Sequence, residues 1–225
     1  TTTLGREGSD FSAAIFANCL DAEELTIWKD VDGLRNADPK RFTVTEKIEH
    51  LSYFEAIELA FYGASIIHPK TLKPLQNKNI PLKVRSFLDT SLEPSVIDGT
   101  KDYIKYVPSY IVKERQTLMS ITPKDYSFMN EHNRALIFNI MDELNIHANM
   151  TQISALVLSI CFDESEKKRI MLTDALSQAF KVKYNDGLKL FTIRHYQEGL
   201  EKDYIEDKKI YVEQRSRSTY QIVLE

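Results

Sequence analysis

An α/β domain with a mostly parallel sheet, followed by small α+β units of the ferredoxin-like kind in tandem, is the fold class that this sequence predicts. Residues 1 to about 94 alternate strand-like runs with amphipathic helices, the pattern of strands crossed by helices. Residues 89–107 are turn-rich, with Asp89-Thr90-Ser91, Glu93-Pro94-Ser95 and Asp98-Gly99-Thr100, and they mark a boundary. From Gln116 the order of elements becomes β-α-β-β-α-β. The expected domains are 1–94, a linker and edge strand over 95–115, a first small unit over 116–186, and an abbreviated second over 187–225.

In chain order, Thr1 to Leu4 reads as a strand, Ser9 to Leu20 as a helix and Glu24 to Trp28 as a strand. Val44 to Leu51 reads as the start of a helical stretch. Within it, Ser52 is placed as an N-cap, with Glu55 three residues on, and Gly63 suits a C-cap. Ile80 to Phe87 closes this part as a strand. In the next part, Gln116 to Ile121 is a strand. Ser127 to Glu143 is a helix, with Ile137, Ile140 and Met141 at helical spacing. Strands Ile146 to Gln152 and Leu156 to Phe162, a helix Glu164 to Ala179 and a strand Phe180 to Tyr184 complete the unit. A shorter copy follows: strand Leu188 to Arg194, a helix near Gln197 to Glu206, and strands Lys209 to Gln214 and Thr219 to Leu224.

The composition, 43% hydrophobic and 28% charged, is that of a soluble globular protein. No apolar run approaches the roughly 18 residues of a membrane span. The first residues lack the basic start and apolar core of a signal peptide, so the cytoplasm is expected. A net charge of −4 with interleaved signs argues against nucleic acid as a partner. The two cysteines, Cys19 and Cys161, have no metal or redox spacing, sit in apolar stretches and read as buried free thiols in a reducing cytosol. The five histidines show no metal spacing either, and no metal site is expected.

Three clusters carry chemistry. Gly5-Arg6-Glu7-Gly8-Ser9-Asp10 joins a strand to a helix N-terminus, where free backbone N–H groups and the helix dipole favour an anion. Arg6 adds a fork of donors for a carboxylate or phosphate, and Asp10 can orient an amine. A plain strand-to-helix turn is the alternative. Lys29-Asp30-Val31-Asp32-Gly33 with Asp38-Pro39-Lys40 suits Mg²⁺, ribose or phosphates, or is an acidic surface turn. His68, before Pro69, is either a general base or a positioned structural residue.

These clusters, in this order, resemble the aspartokinase family of amino-acid kinases. The resemblance rests on Thr2-Thr3-Leu4-Gly5-Arg6-Glu7-Gly8-Ser9-Asp10 and Trp28-Lys29-Asp30-Val31-Asp32-Gly33. It extends to Ser52-Tyr53-Phe54-Glu55-Ala56-Ile57-Glu58-Leu59-Ala60, to Gly63-Ala64 with His68-Pro69, and to Ile80-Pro81-Leu82-Lys83-Val84-Arg85. The small tandem units resemble the family's ACT domains. The resemblance implies transfer of the γ-phosphoryl of ATP, as its Mg²⁺ complex, to the side-chain carboxylate of L-aspartate. It implies Arg6 and Asp10 as catalytic groups, with Arg6, Ser9 and Asp10 on the substrate. Lys29, Asp30, Arg35, Lys40 and Ser65 would line the nucleotide pocket. Such chemistry needs positioning and charge neutralisation more than a protein nucleophile.

The chain departs from the family at Glu7, where a second glycine is usual, at Ser65, where lysine is common, and at Lys40, where arginine is usual. The family's Lys-Phe-Gly-Gly-Thr-Ser motif does not occur, so this chain alone is expected to be inactive. The family further implies a homodimer through the ACT units and an amino-acid effector, lysine first and threonine second. Asn149, Met150 and Gln152 would contact it, with backbone from the loop Lys124 to Asn130. A capped strand end is the alternative for Gln152. A non-catalytic amino-acid-sensing module is the alternative for the whole chain.

Overall fold

The computed structural model describes residues 8–64, 67–100 and 106–225. The chain divides into two compact units, Thr1–Ile111 with Arg194–Gln197, and Val112–Ile193 with Glu198–Glu225. The predicted strand at Thr1 to Leu4 lies outside the described residues.

The first unit opens with α1 (Gly8–Cys19), β1 (Leu25–Lys29), β2 (Leu34–Arg35), β3 (Lys47–Ile48) and β4 (His50–Ser52). It continues with α2 (Tyr53–Tyr62), α3 (Pro69–Lys78), β5 (Leu82–Ser86) and β6 (Ser95–Asp98). The main sheet has the order β1-β5-β6-β4. Its β1/β5 and β4/β6 pairs are parallel, and its β5/β6 pair is antiparallel. Leu82 and Val84 alternate inward along β5 and meet Ile27, Leu51, Leu59, Leu72, Leu75 and Ile97 in one core. Such burial stabilises by about 25 cal/mol per Å² of apolar surface.

The stretch Val44 to Leu51 is not helical, as the sequence suggested, but carries β3 and β4. Tertiary pairing overrides local propensity here. Glu46 N–H bonds to the Asn36 side chain at 2.7 Å, and Ser95 Oγ donates to the Ile48 carbonyl at 2.6 Å. Ser52 caps α2 as expected, its hydroxyl accepting from Glu55 N–H at 3.1 Å. Gly63 ends α2 at φ +108°, a left-handed conformation that suits glycine. Within 95–115, expected as linker and edge strand, β6 lies between β5 and β4 in the sheet.

The second unit contains β7 (Ser109–Pro123, whose first residues count with the first unit), α4 (Glu131–Glu143), β8 (Ala148–Ile153) and β9 (Leu158–Asp163). It goes on with α5 (Glu166–Leu176), β10 (Phe180–Arg194), α6 (Lys202–Ile205), β11 (Ile210–Arg215) and β12 (Thr219–Leu224). The six-stranded sheet runs β11-β12-β10-β7-β9-β8. The order β7-α4-β8-β9-α5-β10 is the ferredoxin-like unit.

Strand alternation splits its core in two. Met119, Ile160 and Phe162 meet Ile137 and Met141 of α4 and Leu172 and Leu176 of α5. Leu118, Met150 and Cys161 point the other way and meet Leu188, Leu190, Val212 and Val223.

β7 begins at Ser109 and not at Gln116, and α6 spans only Lys202–Ile205 of the helix expected near Gln197 to Glu206. Two further elements differ from expectation. Helix α4 begins after Asn130 and not at Ser127, because Asn130 accepts Asn133 N–H at 3.0 Å while Asp125 holds Ser127 N–H in a turn. The strands predicted at Phe180 to Tyr184 and Leu188 to Arg194 are one strand, β10. It passes through Gly187 at φ +72°, whose N–H is held by the Glu164 carboxylate at 3.1 Å.

Candidate functional site

In the first unit the C-terminal end of β1 and the first turn of α1 come together. Asp10 lies in that turn, and its Oδ2 is 3.6 Å from Lys29 Nζ at the end of β1. Ser9 Oγ donates to Asp10 Oδ1 at 3.5 Å, and Ser12 Oγ donates to the Gly8 carbonyl at 2.7 Å. Asp30 follows directly and is exposed. Ser9, Asp10, Lys29 and Asp30 therefore gather where α/β sheets hold ligands, outside the carboxyl ends of their strands. A cation and a helix N-terminus side by side suit a phosphate or carboxylate. Arg6 and Ser65 lie outside the described residues.

Arg35 sits 3.2 Å (Nε) and 2.8 Å (Nη2) from the two carboxylate oxygens of Asp32, a forked pair. Its Nη1 also donates to the Thr45 carbonyl at 3.1 Å and hydroxyl at 2.8 Å. These bonds tie the β2 turn to the approach to β3. Lys40 lies in an exposed turn closed by its N–H on Asp38 Oδ1 at 2.9 Å. His68 is the N-cap of α3, its Nδ1 accepting from Lys70 N–H at 3.1 Å, with Pro69 in the first turn.

In the second unit Asn149 is already committed. Lys113 Nζ donates to its Oδ1 at 2.7 Å. Its Nδ2 donates to Gln116 Oε1 and to Asp163 Oδ1, both at 2.8 Å. Gln116 Nε2 joins at 2.9 Å from Asp163. Burial pushes the Lys113 amine down. Burial alone would raise the Asp163 carboxyl, but bonds from Gln116 and Asn149 and the Lys113 charge hold it below its ordinary range.

Met150 is buried, so its side chain is core and only its backbone faces elsewhere. Gln152 is exposed, with Nε2 at 3.4 Å from the Glu213 carbonyl. The loop 124–130 meets the far end of β8, where Met129 N–H bonds to the Ala155 carbonyl at 2.8 Å. Ala148 opposes Phe162, whereas Ile153 opposes Leu158. Asn149 and the loop thus belong to opposite ends of the strand, and one chain does not converge them on a single pocket.

Sequence reasoning missed Lys113, Gln116 and Asp163. Gln116 did carry a signal: it shares the inward face of β7 with Leu118, and an inward amide requires partners. It missed the Glu55 cluster as well, where Arg194 Nε and Nη2 donate to the two carboxylate oxygens of Glu55 at 2.9 and 3.0 Å.

Residues 1–86 match the amino acid kinase family. The chain is 32% identical to aspartokinase 3, chloroplastic, of Arabidopsis thaliana over 170 residues, covering 73% of this chain and 30% of that protein. It is 31% identical to the bifunctional aspartokinase/homoserine dehydrogenase 1, chloroplastic, of Zea mays, covering 80% of this chain and 20% of that one. Among solved structures, E. coli aspartokinase III in complex with aspartate and ADP superposes with a TM-score of 0.81 at 24% identity. That superposition covers 99% of this chain and 53% of that one. The chain therefore spans less than a third of the plant relatives' length and about half of the bacterial chain.

Proposed function

The chain belongs to the aspartokinase family, and from that premise we propose that it is the C-terminal portion of a feedback-regulated aspartate kinase. In this reading the longer protein transfers the γ-phosphoryl of ATP to the side-chain carboxylate of L-aspartate. The bond to the bridging β,γ-oxygen breaks, ADP leaves, and 4-phospho-L-aspartate forms as the first step towards lysine, threonine and methionine.

The observation that carries the reading is the Asp10–Lys29 pair beside the N-terminus of α1. Lys29 neutralises phosphate charge, and Ser9 and Asp10 hold the aspartate amine, with Arg6 on a substrate carboxylate. Asp30 and Lys40 flank the nucleotide, whose Mg²⁺ arrives with it as part of the substrate. Charge neutralisation and alignment supply most of such a rate enhancement.

The ferredoxin-like second unit supports the regulatory half of the reading. Lysine is the effector we propose, threonine the second candidate, in a homodimer joined through these units. Among the described residues no helix is long and apolar enough to cross a membrane. The cytoplasm is the compartment we propose, supported by the free thiols of Cys161, which is buried, and of Cys19, which is exposed and not buried as the sequence suggested; the plant relatives are named as chloroplastic.

A thermal-shift titration with lysine, threonine and methionine tests the sensor. Saturation by one at 100 times its dissociation constant should add about 2.7 kcal/mol. The kinase is tested by assaying this chain alone and within the longer protein. Activity of the longer protein with aspartate, and none from this chain alone, is the expected result. Aspartyl phosphate formed by this chain alone, or none formed by the longer protein, overturns it.

A further inference from the structure

Helices α1 and α3 pack side by side in the first unit and leave an open groove of about 430 Å³ between them. One wall is a stripe of α1 at helical spacing, Phe11, Ile15 and Asn18. The other is a stripe of α3 that carries Lys70, Lys73 and Pro74. Asn18 Nδ2 donates to the Pro74 carbonyl at 2.7 Å, and Lys78 Nζ donates to the Asn18 carbonyl at 2.6 Å. These bonds brace the two walls and spend the amide of Asn18, so Phe11, Ile15 and Pro74 supply an apolar lining that is already formed.

The charge of the groove is one-sided. Residues 11–20, on the α1 side, include no charged side chain. Lys70 and Lys73 stand in the N-terminal half of α3, whose first turn holds no acidic residue. Both are exposed, and neither has an ion-pair partner among the described residues. Two electrostatic effects oppose this arrangement. Like charges three residues apart on a helix repel, and Lys70 lies at the positive end of the helix dipole. Lys78 shows the favourable alternative: it sits in the last turn of α3 and pairs with Asp21. An anion held by Lys70 and Lys73 reverses both unfavourable effects, and an apolar body beside it covers Phe11 and Ile15.

We propose that this groove is a binding site for a small amphipathic carboxylate, an apolar chain or ring that ends in the acid group. Lys70 and Lys73 hold the head, and Phe11, Ile15 and Pro74 hold the body. The volume lies within the roughly 300–1,000 Å³ of small-molecule sites. The site shares no residue with the cluster of Ser9, Asp10, Lys29 and Asp30, and it stands independently of the phosphoryl-transfer reading.

A nuclear magnetic resonance titration of the isotope-labelled full chain tests it, with octanoate as the probe and octylammonium and acetate as its controls. Octanoate should shift the amides of 11–18 and 70–77 saturably. Octylammonium, which reverses the charge, and acetate, which lacks the chain, should each bind about tenfold more weakly or worse. Lys70→Gln combined with Lys73→Gln should weaken octanoate about tenfold and erase its advantage over octylammonium. Ile15→Ser should weaken octanoate about fivefold and leave the preference for the anion intact. Acetate or octylammonium binding as tightly as octanoate overturns the site. So does the absence of a saturable shift, a shift confined to other amides, or a double variant that binds like the parent. If the double variant does not fold, the comparison of octanoate with octylammonium on the parent chain decides.

Discussion

Lys113 donates to the side-chain oxygen of Asn149 at 2.7 Å, so the amide expected to greet an effector is already held in a network with Gln116 and Asp163. Removing that amide leaves three partners short of a bond. Asn149→Ala should therefore cost about 1–3 kcal/mol, the penalty for orphaning part-buried polar groups. Urea unfolding at neutral pH measures it. A cost within a few tenths of zero would mean that the network is ornamental.

Acid should loosen both units. Glu55, Asp98 and Asp163 all sit below their ordinary carboxyl values. For Glu55 and Asp163 burial pulls upward and is overcome, by His195 and Arg194 in one case and by Gln116, Asn149 and Lys113 in the other. For Asp98 burial is likewise outweighed, by Thr100 N–H and by His50 at 2.9 Å. A depressed folded carboxyl contributes stability above its unfolded value and loses it as pH falls through the folded one. Stability should thus fall as pH drops below the ordinary values of 4.5 for glutamate and 3.8 for aspartate. Glu55→Gln should flatten part of that slope in denaturation curves taken from pH 6 downward.

Gly33→Ala should be among the most damaging single-methyl changes in the first unit. Gly33 sits at φ +140°, and an added Cβ would come 2.4 Å from Ser95 Oγ and 2.8 Å from Lys47 Cε. Ser95 Oγ is the junction of this region, taking Leu34 N–H at 2.9 Å and donating to the Ile48 carbonyl. Strain of about 1–3 kcal/mol adds to a broken junction. A drop in melting temperature, with Ser95→Ala giving part of it, is the expected result.

Within the longer protein, Lys29→Met should lower kcat/KM by about 10² or more, the loss typical of one donor that meets developing charge. Arg35→Lys should instead act on stability, since its fork is spent on Asp32 and Thr45. Steady-state kinetics beside thermal unfolding separates the two. Equal catalytic losses from both would place Arg35 on the nucleotide.

What the sequence revealed was mostly local. The Ser52 cap, the Gly63 stop and the β-α-β-β-α-β order each follow from a few neighbouring residues. What it hid depends on partners far along the chain. Val44 to Leu51 carries helical spacing, yet Asn36 and Ser95 claim its backbone for strands. The break expected between Tyr184 and Leu188 does not occur, because Glu164 holds the Gly187 N–H inside the continuous strand β10. The Glu55–Arg194 fork has no local signature, since its two halves meet only after 139 positions of chain.

His68 gives the sharpest contrast between a chemical and a structural role. Its Nδ1 accepts Lys70 N–H and so replaces the side-chain oxygen of the usual cap, while Pro69 presets the first turn of α3. The buried residues of α3, Leu72 and Leu75, depend on that start for their register against the first core. His68→Ala should therefore cost about 0.5–2 kcal/mol, the range for losing a cap. His68→Asn, which offers an oxygen at a comparable reach, should recover most of it. A general base would behave in the opposite way: the asparagine variant would be fully stable and inactive. Thermal unfolding of this chain together with turnover of the longer protein distinguishes the two, and stability rescued by asparagine with turnover kept is the expected outcome.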